Sequence, residues 1–66
     1  MNVDTLSQCL KAVADPSRLR LMSLCSQGEL TVSDLVRITG YSQPRTSRHL
    51  KILQDAGLLE SFREQH

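Results

Sequence analysis

The sequence predicts a mainly α domain: four helices, then the first strand of a β-hairpin. Three observations carry this. Apolar residues recur at three- and four-residue spacing from Val3 to Leu53. Each periodic run opens on a capping residue, and two runs close on glycine. After Gly57 the apolar pattern changes to period two.

The first helix holds Val3, Leu6, Leu10 and Val13 on one stripe, which Cys9 and Ala14 widen, with Asn2 or Asp4 as its cap. Such a stripe can pack on its own domain and on a second chain. Asp15-Pro16 places an N-cap before a proline at the first helical position, where the missing N–H costs little. The second helix then runs from Pro16 to about Ser26, and Gly28 stops it. Leu19, Leu21, Met22, Leu24 and Cys25 cover most of its circumference, so it is expected in the middle of the fold. Arg18 and Arg20 are read as solvated or ion-paired, with Arg18 in reach of a phosphate.

Glu29 to Val32 reads as a short extended connection. Thr31 and Asp34 have the spacing of a capping box, with Asp in place of the usual Glu or Gln. The third helix carries Val32, Leu35, Val36 and Ile38 and ends at Gly40. Tyr41 and Ser42 make a tight turn into the fourth helix, Ser42–Ala56. Helix, short glycine turn, helix is the helix-turn-helix pattern.

The fourth helix organises the chain. Ser42 caps it, Pro44 lies in its first turn, and Gly57 follows its last periodic residue. At 100° per residue Thr46, Leu50 and Leu53 share one face. Gln43, Pro44, Ser47, Arg48 and Lys51 lie across the other. The buried side is narrow and the outer side is basic and hydrogen-bonding. A helix of this polarity can lie in a DNA major groove while its back packs on a small core.

Beyond Gly57, Leu58, Glu60 and Phe62 alternate with Leu59, Ser61 and Arg63, as in a strand. A strand needs a partner, and the sequence stops where a turn and return strand should begin. The expectation is one domain over 1–66, a winged helix-turn-helix whose wing is cut after its first long strand, from a longer protein.

With 66 residues and only two aromatics, Tyr41 and Phe62, the core must be aliphatic and small. The net charge of +1 says little, but its distribution says more. Three Lys/Arg against four Asp/Glu up to Val36 give −1, and five against three from Arg37 onward give +2. Between Arg37 and Gln54 every charged residue is basic. Cys9 and Cys25 form no CxxC unit and read as small core residues. The N-terminus, with Asp4, Lys11 and Asp15 in a periodic pattern, is neither a signal peptide nor a membrane span, so a soluble cytoplasmic protein is expected.

Three stretches resemble the arsenic-repressor (ArsR/SmtB) family of winged helix-turn-helix regulators. They are Leu10 to Arg20 (LKAVADPSRLR), Gly28 to Leu35 (GELTVSDL) and Ser42 to Leu59; the run SQPRTSRHLKILQDAGLLE, which extends one residue further to Glu60, is the most specific. The resemblance is to repressors, and it implies a bacterial or archaeal DNA-binding regulator that acts as a homodimer, joined through the first helix and a last helix absent here. Such a dimer would present two fourth helices to an inverted-repeat operator in double-stranded DNA. Family metal sensors carry Cys-Val-Cys in the third helix, and the matching positions here are Thr31, Val32 and Ser33. Hydroxyls are poor ligands for thiophilic ions, so no metal or other cofactor is expected at that site. Ser42 to Arg45, with Leu59 to Glu64, also resembles family members fused in front of a methyltransferase domain.

The expected DNA-binding residues are Ser42, Gln43, Pro44, Arg45, Ser47, Arg48, Lys51 and Arg63. Gln43 and Ser47 suit base edges, since Gln pairs bidentately with adenine. Arg48 suits guanine or a phosphate. Arg45 and Lys51 suit phosphates, which set register without reading sequence. Ser42 and the helix N-terminus offer a phosphate a backbone N–H, and Arg63 lies on the wing strand. The alternative is a winged-helix interaction or regulatory module fused to an enzyme such as a methyltransferase. The basic run is the feature against it. An enzyme is not expected: Ser47 and His49, two apart on a helix, do not face each other, and there is no phosphate loop or paired carboxylate. His49, at the edge of the buried face, reads as a packed or hydrogen-bonded histidine.

Overall fold

The computed structural model describes residues 2–59. They form four helices: α1 Val3–Val13, α2 Pro16–Ser26, α3 Val32–Thr39 and α4 Gln43–Asp55. The expected wing residues from Glu60 onward, Arg63 among them, lie outside the described residues.

Each helix begins where a side chain satisfies its orphan N–H groups. Asn2 Oδ1 accepts from Thr5 N at 2.7 Å, which settles the choice between Asn2 and Asp4. Asp15 Oδ1 accepts from Ser17 N at 2.8 Å and from Arg18 N at 3.2 Å. Thr31 and Asp34 close the capping box reciprocally: Asp34 N donates to Thr31 Oγ1 at 3.1 Å, and Thr31 N donates to Asp34 Oδ2 at 3.0 Å. The connection before α3 is short, because Val32 is already helical and buried. Ser42 Oγ accepts from Arg45 N at 3.2 Å.

Two helices end on glycine in the left-handed region that side chains disfavour. Gly40 has φ 77° and donates its N–H to Val36 O at 2.8 Å, turning the chain toward α4. Gly57 has φ 79°. Its N–H reaches Gln54 O at 3.0 Å while Leu58 N reaches Leu53 O at 2.9 Å, a Schellman pair. The second bond brings Leu58 back onto the core.

The core consists of Ala12 from α1, Leu21 from α2, Val32 and Leu35 from α3, Leu50 and Leu53 from α4, and Ala56. The helix at its centre is α4, which packs against each of the other three. This corrects the expectation for α2. Only Leu21 of that helix is fully buried, Met22, Leu24 and Cys25 are partly covered, and Leu19 is 52 % exposed. An all-round apolar pattern did not make α2 the hub, because the narrow Thr46–Leu50–Leu53 spine of α4 is what the other helices close around. Thr46 is tolerated in this dry setting because its hydroxyl donates to Ser42 O at 2.9 Å.

The two capping carboxylates tie the fold to acid. The backbone N–H of Arg18 holds Asp15, and the backbone N–H of Thr31 holds Asp34, below the ordinary 3.8. A carboxylate depressed in the folded state adds stability above its unfolded pKa, and that stability is lost as pH falls through the folded value. The window therefore opens near 3.8 and extends downward. Asp15→Asn keeps the cap acceptor and does not titrate. The variant is expected to lose less stability than the unsubstituted chain on acidification below about pH 4, measured as the urea midpoint against pH.

Candidate nucleic-acid interface

With Thr46, Leu50 and Leu53 fully buried, α4 turns its opposite side outward. Gln43, Pro44, Arg45, Arg48 and Lys51 are exposed there and Ser47 is half-buried. Thirteen residues make a helix about 20 Å long, and about 12 Å of groove width accommodates its diameter. Ser42 stands at the N-terminal end of this surface, where backbone N–H groups and the helix dipole favour an anion.

The structure qualifies the basic run. Arg37 belongs to the α3 surface and pairs with Asp34 at 2.6 Å. Lys51 is not alone, since its Nζ lies 3.2 Å from Asp55 Oδ1. Asp55 is one residue past the acid-free stretch and one turn along the helix. This pair is exposed, and its order, cation before anion, is the weaker one on a helix. Exposed pairs of this kind contribute about 0.3–0.5 kcal/mol, so a phosphate can replace the carboxylate.

Arg45 is fixed rather than free. Its guanidinium lies 4.1 Å from the Tyr41 ring centroid and its Nη2 donates to Ser17 Oγ at 2.7 Å. Tyr41 is half-buried and stacks on a cation. Ser17, in the first turn of α2, joins the surface from another helix and was not legible as a site residue. Nothing in the spacing of Ser17 and Arg45, 28 positions apart, signals their contact. Arg48 is exposed in the middle of the outer face.

Arg18 does not point outward to a phosphate. Its Nε donates to Ala12 O at 2.5 Å and its Nη2 to Lys11 O at 3.3 Å, capping the end of α1, and its Nη1 lies 3.4 Å from His49 Nδ1. His49 is half-buried beside this guanidinium, as its position at the edge of the buried face suggested. Burial pushes its pKa down from 6.5, and the Arg18, Arg45 and Arg48 charges add to the shift, while Asp15 opposes it.

Thr31 Oγ1 is engaged in the α3 cap, where it accepts from Asp34 N. Among the described residues no three His, Cys, Asp or Glu side chains converge as metal ligands. The two thiols are half-buried. Cys9 Sγ donates to Ala56 O at 3.2 Å, and burial pushes the Cys25 thiol pKa up. No helix among the described residues is long and apolar enough to cross a membrane.

Two helices joined through a glycine turn, the second buried by a narrow spine and outwardly polar and basic, define a helix-turn-helix protein. A profile of the family described as "Bacterial regulatory protein, arsR family" matches residues 15–61, and the chain belongs to that family. It is 41 % identical over 61 residues to a probable mercury resistance operon repressor of Streptomyces lividans, covering 92 % of this chain and 49 % of that protein. It is 44 % identical over 59 residues to an arsenical resistance operon repressor of Staphylococcus xylosus, covering 89 % and 57 %. The corresponding repressor of Escherichia coli K12 is 47 % identical over 53 residues, covering 79 % and 45 %. The chain thus spans about half the length of these curated relatives. No solved structure matches it.

Proposed function

We propose that this chain is the DNA-reading part of a transcriptional repressor, with α4 as the recognition helix in the major groove of an inverted-repeat operator. The observation that carries the reading is the outer face of α4, exposed, basic and backed by a fully buried spine. Relatives named as operon repressors support it at the level of the family. Gln43 and Ser47 are assigned to base edges and Arg48 to guanine O6 and N7. Arg45, held by Ser17 and Tyr41, and Lys51, once released from Asp55, are assigned to phosphates. Ser42 and Pro44 shape the N-terminal end that meets the backbone, and Arg63 is assigned to the wing contact. The protein acts in the bacterial cytoplasm, at the nucleoid.

The test is selection from a random duplex pool with the purified chain. A recovered inverted repeat with half-sites about one helical turn, roughly 34 Å, apart supports the reading. A pool left unenriched, together with binding to protein partners alone, supports the interaction-module alternative instead.

The homodimer belongs to the same proposal. Val3, Leu6 and Leu10 of α1 are 80 %, 48 % and 58 % exposed, an apolar edge that the described residues leave open. Replacing Leu6 and Leu10 together by serine is expected to lower self-association in sedimentation equilibrium while leaving the helical circular dichroism intact. Equal association of both forms would remove α1 from the interface.

A further inference from the structure

We infer that Arg18 and His49 form a proton-sensitive strut that fastens the C-terminal end of α1 to α4. The inference rests on the packing of the helices and is independent of the DNA-binding reading. One guanidinium makes all the contacts. Nε and Nη2 hold the last-turn carbonyls of Ala12 and Lys11 in α1, and Nη1 faces the imidazole Nδ1 of His49 in α4, 31 positions along the chain. Carbonyls at a helix end attract a cation, and Arg18 adds to the Ala14 N–H that Lys11 O already accepts at 3.3 Å, so the α1 side of the strut is satisfied at any neutral or acidic pH. The α4 side is conditional. Arginine has no acceptor and stays charged, so its contact with Nδ1 is a hydrogen bond only while Nδ1 carries no proton. The neutral Nε2–H tautomer of His49 meets this condition. A proton on Nδ1 removes the acceptor and sets two cations against each other at 3.4 Å.

The surroundings favour the neutral imidazole. Asp15 and Arg18 face it from the start of α2, and Arg45 and Arg48 lie on its own helix. From α1, Lys11 lines the groove between α1 and α4 beside Arg18. The charged residues of α3, Asp34 and Arg37, are engaged with each other. Burial of the ring is the largest cause of the downward pKa shift; Asp15 opposes it, and the three arginines add to it. Asp55 of α4 lines the same groove as Lys11 and is paired with Lys51. The strut is therefore closed at neutral pH and opens as pH falls below 6.5 through the depressed folded value. It joins the helix with the exposed apolar edge to the helix with the basic face. Acidification would thus loosen one against the other.

The test is a nuclear magnetic resonance titration of the full chain between about pH 5 and pH 8, above the range where ordinary carboxyls titrate. It reads the ring nitrogens of His49, assigned with the His49→Gln variant, and the carbonyl carbons of Lys11 and Ala12. The neutral ring is expected as the Nε2–H tautomer. The two α1 carbonyls are expected to shift with the same midpoint as the ring. In His49→Gln the side-chain oxygen still accepts from Arg18 but does not titrate, so the carbonyl shifts should become flat across the range. A neutral Nδ1–H tautomer would overturn the strut. So would α1 carbonyls that stay still while His49 titrates, or that titrate unchanged in His49→Gln. A merely structural histidine would not transmit its protonation to the end of another helix.

Discussion

Leu53→Ala is expected to cost roughly 2–5 kcal/mol of folding stability, the range for emptying a fully buried leucine site. A chain of this size has about 3–10 kcal/mol in total at roughly 0.05–0.15 kcal/mol per residue, so the variant should lie near the edge of folding. The effect is large because the Leu53 side chain is fully buried on α4, the helix that contacts every other one. Urea unfolding followed by far-ultraviolet circular dichroism measures it. A loss below about 1 kcal/mol would place the stabilising core elsewhere than along the α4 spine. The same substitution at Leu19, which is about half exposed, should cost much less, although the sequence pattern ranks the two alike.

Arg48→Ala is expected to weaken duplex binding by about 1–3 kcal/mol and to relax preference at one base pair. It should do so without destabilising the fold, since Arg48 is exposed. The combination matters. A uniform loss across all sequences would make Arg48 a phosphate contact, and unchanged affinity with unchanged preference would remove it from the reading surface. Lys51→Ala should behave differently, because it gives up a weak exposed pair with Asp55 and a phosphate contact but no base contact.

What the sequence made legible is what is local. Asn2, Asp15, Thr31 and Ser42 each cap the helix that follows through bonds spanning two or three residues, so residue type and spacing were enough to find them. The Thr46–Leu50–Leu53 spine was legible for the same reason, since helical periodicity fixes which residues share a face. Long-range contacts were not. Arg45 meets Ser17 and Arg18 meets His49 across 28 and 31 positions, and those contacts depend on how helices cross. Arg18 could therefore be placed on its helix but not turned inward. Lys51–Asp55 is a different case. Its four-residue spacing was readable, but a charge count that stopped at Gln54 left the partner out. The exposed outer side of α4 was expected from the wheel, while the anchoring of Arg45 by α2 and Tyr41 came only with the fold.

The most direct test of the DNA-reading assignment is the salt dependence of duplex binding by fluorescence anisotropy, for the unsubstituted chain and for Arg45→Gln and Lys51→Gln. Each phosphate neutralised contributes about −0.9 to the slope of log K against log salt concentration. The assignment predicts a steep slope for the unsubstituted chain, reduced by about one in each variant. Affinity that is flat in salt and indifferent to both substitutions would contradict it.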